Sequence, residues 1–200
     1  MARIRREQAP ALREGRSPML DILMSVHGEW IAKMASGEKT GELRKTWPKN
    51  IPTPFRVRLY CTQVRREAVL LLDGRGGATI GDYQNAESGW QIGNGFVVGE
   101  FICPGRTIVK YPSDTEGYWW PHMAEISRIT CLSIEEIAEY LGEGGTGSVW
   151  KIQDLKIYER PIELHRFFMP GTKAVNWAHH VERAPQSWCY IENLMRGVTV

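Results

Sequence analysis

The sequence predicts an α+β fold, a small β-barrel of five to seven strands with two or more helices packed outside. Three observations carry this expectation. "FRVRLYCT", Phe55 to Thr62, alternates apolar and polar residues with the period of a strand that has one buried face. "SIEEIAEYLG" reads as a helix with both ends marked: Ser133 and Glu136 form a capping box, and Gly142 stops it. Helices are too few for a parallel sheet wound through crossover helices.

The elements follow in order. "MLDILMSV" (Met19–Val26) is an apolar run suited to a buried strand. In "GEWIAKMAS", Trp30, Ile31 and Met34 share one helical face, and Gly37 follows as a C-terminal cap. A strand is expected from about Lys39. "TWPKNIPTP" has three prolines in nine residues and must be a loop. In Phe55–Thr62, Phe55, Val57, Leu59 and Cys61 face the core, while Arg56, Arg58, Tyr60 and Thr62 form a basic outer face. "REAVLLLDGRGGATIGDYQ" reads as a hairpin or an extended excursion turning at Asp73–Gly77. "GFVVGEFIC" is a strand in which Gly99 marks a bulge or a close approach. Pro104–Met123 reads as an insertion. "SVWKIQDLKIY" is one long strand, irregular near Asp154, and "SWCYIENL" is the last. Residues 1–18, with five Arg and two Glu, read as a flexible basic arm before a single domain over 19–200.

Composition narrows the function classes. The 200-residue chain is 42% hydrophobic and 24% charged, as in ordinary folded domains. No apolar run approaches a membrane helix, and no secretory leader is visible, so a cytoplasmic location and no membrane partner are expected. Four scattered cysteines lack metal or disulfide spacing and are expected reduced and mostly buried. The pair His179–His180 has no companion at ligand spacing, so no metal and no cofactor are expected. The net charge of +2 hides an asymmetry: Glu38–Arg66 holds eight Lys/Arg against two Glu, and Asp114–Glu163 holds ten acids against four Lys/Arg. A basic pole suits an anionic ligand such as a nucleotide or RNA. "GEGGTGSVW" and "GRGGATIG" lack the lysine and following helix of a phosphate loop, and read as turns. The adjacent tryptophans of "GYWWPH" suit either base stacking or the anchoring of their own loop.

The stretch "SGEKTGELRK" is the candidate site. As a strand it places Thr40, Glu42 and Arg44 on one face, with Leu43 turned into the barrel. That pattern suits a surface of cross-strand ion pairs as well as a ligand site. The longer run "SVHGEWIAKMASGEKTGELRK" resembles the signature of ASCH domains, a branch of the PUA-like superfamily, in which a strand and short helix lead into G-x-K-x-x-E-x-R. Gly37, Lys39, Glu42 and Arg44 match it in register. The similarity continues through "FRVRLYCT", "GFVVGEFIC", "LSIEEIAEYLG", "SVWKIQDLKIYERPIEL" and "APQSWCYIE", with extra material near 63–94, 104–124 and 166–184.

The resemblance implies a PUA-like barrel with a cleft between barrel and first helix, lined by Lys39, Glu42 and Arg44 near Trp30. It implies an RNA- or nucleotide-binding module in which a basic cleft seats a base and Lys39, Lys45, Arg56 and Arg58 meet phosphates. One branch of the family is an amidohydrolase that removes the acetyl group from N4-acetylcytidine with a Lys, a Thr and a Glu. Lys39 matches that Lys. Glu42 stands at the Thr position, with Thr40 beside Lys39, and "SRITC" holds no acid ahead of the second helix. As an enzyme, the chain would therefore use Lys39, Glu42 and Thr40. A protein-interaction module is a further class, expected if the insertions plug the cleft.

Overall fold

The computed structural model describes residues 20–63, 69–82, 84, 88–111, 121–171 and 179–192. The basic arm and the tryptophans of "GYWWPH" lie outside the described residues. Among the described residues, eleven strands and three α-helices follow in the order β1 (Leu20–Val26), α1 (Gly28–Ala35), β2 (Gly41–Arg44), β3 (Phe55–Cys61), β4 (Val69–Leu72), β5 (Ala78–Gly81), β6 (Gln91–Ile92), β7 (Val97–Cys103), β8 (Arg106–Lys110), α2 (Pro121–Thr130), α3 (Ile134–Leu141), β9 (Thr146–Lys151), β10 (Gln153–Ile162) and β11 (Trp188–Glu192). They form a five-stranded sheet β10-β7-β3-β1-β11 and two three-stranded sheets, β2-β9-β8 and β5-β4-β6. The α+β class with helices outside is as the sequence predicts. Among the described residues, none of the three sheets closes into a barrel. The strands beyond the expected five to seven come largely from the 63–94 excursion, which makes a sheet of its own.

β3 sits at the centre, parallel to β1 and antiparallel to β7. Its alternation divides two cores. Phe55, Val57, Leu59 and Cys61 join Ile22, Met24 and Val26 in the main core, covered by α1, β4 and Trp150. Burial of each such aliphatic side chain contributes about 1.5–3 kcal/mol. The opposite face is not the basic outer surface the pattern suggested. Tyr60 and Leu23 pack there with Tyr158, Phe167 and Ile191. Arg58, only 2% exposed, is buried among them.

A third core lies between the β2-β9-β8 sheet and α2 and α3, and here Leu43 meets Val149, Ile126, Ile137 and Leu141. Leu43 is thus buried, but against these helices rather than in a barrel interior. α3 carries the expected capping box, with Glu136 N donating to Ser133 Oγ and Ser133 N to the Glu136 carboxylate. The "SVWKIQDLKIY" strand is two strands in different sheets that part at Ile152, and Asp154 at φ 50° marks the irregularity within the second, between Gln153 and Lys156. Gly99 is a close approach, since a Cβ there would meet the Lys156 carbonyl oxygen at 2.6 Å. Within the expected insertion 104–124, β8 and the start of α2 are regular structure.

Candidate functional site

The site forms where β1, α1 and β2 meet the α3 helix. α1 ends at Ser36, and Gly37 at φ +81° takes the left-handed turn that a Cβ would strain. Lys39 N then donates to Lys33 O at 2.9 Å, so the chain folds back against the helix. This turn aims the Lys39 side chain inward, where it is 2% exposed. Its ammonium donates to the Thr130 carbonyl at the end of α2, pairs with Glu42 Oε2 at 3.2 Å, and lies 5.1 Å from the Trp30 ring.

Glu42 is held from both sides. Its other oxygen, Oε1, is 3.0 Å from Arg44 Nη2, and that nitrogen also donates to Ser25 O at 2.6 Å. Arg44 Nε is buried and has no hydrogen-bond acceptor among the described residues. Lys39, Glu42 and Arg44 therefore form one fixed row, cation–carboxylate–cation, that ties β2 to β1 and α2. Charge-assisted bonds of this kind hold rotamers well.

The row lines a cleft of about 580 Å³ shared by Trp30 and His27 from the α1 end and by Glu136, Glu139 and Tyr140 from α3. That volume is in the range of small-molecule sites. His27 Nδ1 is 2.9 Å from the Thr62 hydroxyl at the mouth. Lys45 is exposed, with its ammonium 5.3 Å from the Tyr140 ring.

Of the residues singled out in the sequence, Trp30, Lys39, Glu42 and Arg44 are brought together, and the others are not. Thr40 is exposed and does not line the cleft. Arg56 and Arg58 project from the other face of the central sheet. Arg58 pairs there with Asp21 at 3.2 Å and with Glu100 and Tyr158, and Arg56 Nε is 3.8 Å from Glu100. The cleft is also less basic than the sequence stretch, because Glu136 and Glu139 line it together with Lys39 and Arg44. Sequence reasoning missed His27, Glu139 and Tyr140. Only Tyr140 gave a signal, as an aromatic on the polar side of the α3 pattern.

Two crystal structures place this arrangement among known folds. A point mutant of the ASCH protein from Zymomonas mobilis superposes with a TM-score of 0.53 at 14% identity, over 89% of this chain and 92% of that one. A second mutant of the same protein gives 0.50 at 16%, over 86% and 91%. The fold is that of an ASCH domain. No protein-family model and no curated protein sequence matches the chain. Among the described residues no helix of this ASCH fold is long and apolar enough to cross a membrane, and no cluster of His, Cys, Asp and Glu is placed to hold a metal ion.

Proposed function

We propose that the ASCH-fold chain binds a nucleobase, in RNA or as a free or modified nucleotide, in the cleft between β2, α1 and α3. The observation that carries this reading is the fixed Lys39–Glu42–Arg44 row beside Trp30. An aromatic ring offers a stacking surface, worth about 1–3 kcal/mol per base. The Glu42 carboxylate can accept from an exocyclic amine, and the guanidinium can donate to a ring nitrogen or carbonyl. Because Glu136 and Glu139 line the same cleft as the cations, the base rather than the phosphate is the group seated there. Lys45, exposed at the rim, meets a phosphate.

The test is fluorescence anisotropy of a short single-stranded RNA, with free nucleosides as competitors. Binding that nucleosides compete away supports the reading. With one or two phosphate contacts, the log–log salt slope should lie near −0.7 to −1.4, from about −0.7 per contact. No binding of either ligand at low salt overturns it.

An amidohydrolase acting on an N4-acylated cytidine is the second reading, favoured by the presence of Lys39, Glu42 and Glu139 in one cleft. It would need Glu42 as general base, since Thr40 stands outside. The buried Lys39 ammonium is committed to Glu42 and the Thr130 carbonyl, which suits a positioning cation better than a nucleophile. Chromatography for free cytidine after incubation with N4-acetylcytidine decides between the two.

A further inference from the structure

β8 is the end strand of the β2-β9-β8 sheet. Its pairing with β9 matches Thr107 with Val149 and Val109 with Gly147, flanked by Lys151 N donating to Gly105 O and Tyr111 N donating to Gly145 O. Backbone polar groups alternate sides along a strand. The N–H and C=O groups of Arg106, Ile108 and Lys110 therefore point away from β9, along the open edge. Among the described residues nothing pairs with them.

The side chains on this edge are exposed, and Ile108 is 62% exposed, the most exposed large apolar residue among those described. Native edges are commonly blunted by charge, and Arg106 and Lys110 fit that rule, but an exposed isoleucine between them does not. Arg106 is also held in place, with Nη1 donating to Ser148 Oγ at 3.0 Å and its guanidinium 4.9 Å from the Trp47 ring. Two copies joined antiparallel about Ile108 would set Arg106 of one against Lys110 of the other, and like charges directly opposite repel. Self-pairing is disfavoured by that charge pattern.

We infer that the β8 edge is a docking strand for an extended acidic peptide, with an apolar residue flanked two positions away on each side by Glu or Asp. Such a peptide adds as a strand, sets its apolar side chain against Ile108 and its acids against Arg106 and Lys110, and pairs its backbone with theirs. The inference is independent of the cleft and of what the cleft binds.

The probes are three synthetic peptides: Glu-x-Val-x-Glu, its Lys-x-Val-x-Lys counterpart, and the acidic peptide N-methylated at the positions that would bond to β8. Binding is followed by anisotropy, and circular dichroism confirms that each variant stays folded. The wild type should prefer the acidic peptide at least tenfold, and Arg106→Glu with Lys110→Glu should reverse that preference. N-methylation should abolish binding, and Ile108→Thr should weaken it. Equal binding of the N-methylated peptide would show charge attraction without strand addition. That result, absence of binding, or a preference unmoved by the charge swap overturns the inference.

Discussion

Two clusters of buried charge, Lys39–Glu42–Arg44 and Arg58–Asp21–Glu100, draw their cations from the same basic stretch of sequence and end in different surroundings. The first borders an open cleft. The second packs beside the Tyr60–Tyr158 cluster, with Arg58 bonded at once to Asp21, Glu100 and Tyr158. What separates them is the strand next door. Glu100 lies directly opposite Arg58 in the β3–β7 ladder, so the arginine meets its counter-charge within the sheet. Glu42 and Arg44 sit on β2, opposite Trp150 and Ser148, and must pair along their own strand. Arg58, whose partners come from neighbouring strands, is consumed by the fold, whereas Arg44, paired along its own strand, keeps 11% of its side chain exposed beside the cleft.

The comparison breaks most readily at Arg58. Replacing it with Met leaves the buried Asp21 carboxylate and the half-buried Glu100 without their guanidinium, and should destabilise the protein by about 3–5 kcal/mol in urea unfolding. Nucleoside affinity per folded molecule should not change. Glu42→Gln is the converse case. It keeps shape and one acceptor oxygen, so nucleoside affinity should fall by about 1.5–3 kcal/mol in calorimetry. If the chain is the hydrolase instead, that change should lower turnover about a hundredfold or more while substrate still binds.

A subtler difference concerns pH. Burial holds the Asp21 carboxyl above its ordinary value of 3.8, with Arg58 opposing the shift. A carboxyl raised in the folded state contributes stability that is fully present below its unfolded pKa and lost as pH rises through the folded value. Asp21→Asn should therefore be at least as stable as the wild type at pH 7, and the two should converge below the ordinary value of 3.8. Denaturant midpoints across pH 3–8 check this, and a variant that is weakest relative to the wild type at pH 7 would refute it. The smallest effect belongs to Cys131, which follows the Thr130 carbonyl that holds Lys39 and sits at φ 57°. Cys131→Gly relieves that left-handed strain and should raise stability by about 0.5–1 kcal/mol, read as a higher Tm.

Much of this was legible in the sequence where one local rule governs an element. The α3 capping box, the Gly37 turn, the core-facing residues of β3 and the turn at Asp73–Gly77 each follow from chemistry within a few residues. The row of Lys39, Glu42 and Arg44 was legible as a motif. α2 was missed although Pro121 suits a first helical position and Met123, Ile126 and Ile129 recur every third residue, because the preceding Pro- and Gly-rich stretch absorbed it. The fate of Arg58 could not be read, since it depends on which strand carries Glu100 into register. The acids lining the cleft arrive by tertiary packing of α3, for which an isolated helix pattern gives no direction.

The central claim is that the cleft, and not the basic strand face, receives the base. Titration of a short single-stranded RNA into the wild type, Trp30→Ala and Arg56→Ala tests it most directly, because Trp30 lines the cleft and Arg56 lies on the opposite face of the central sheet. The account predicts that Trp30→Ala weakens binding by the worth of one stacked base, about 1–3 kcal/mol, and that Arg56→Ala leaves it within about 0.5 kcal/mol. Loss of binding on Arg56→Ala with Trp30→Ala unchanged would contradict it.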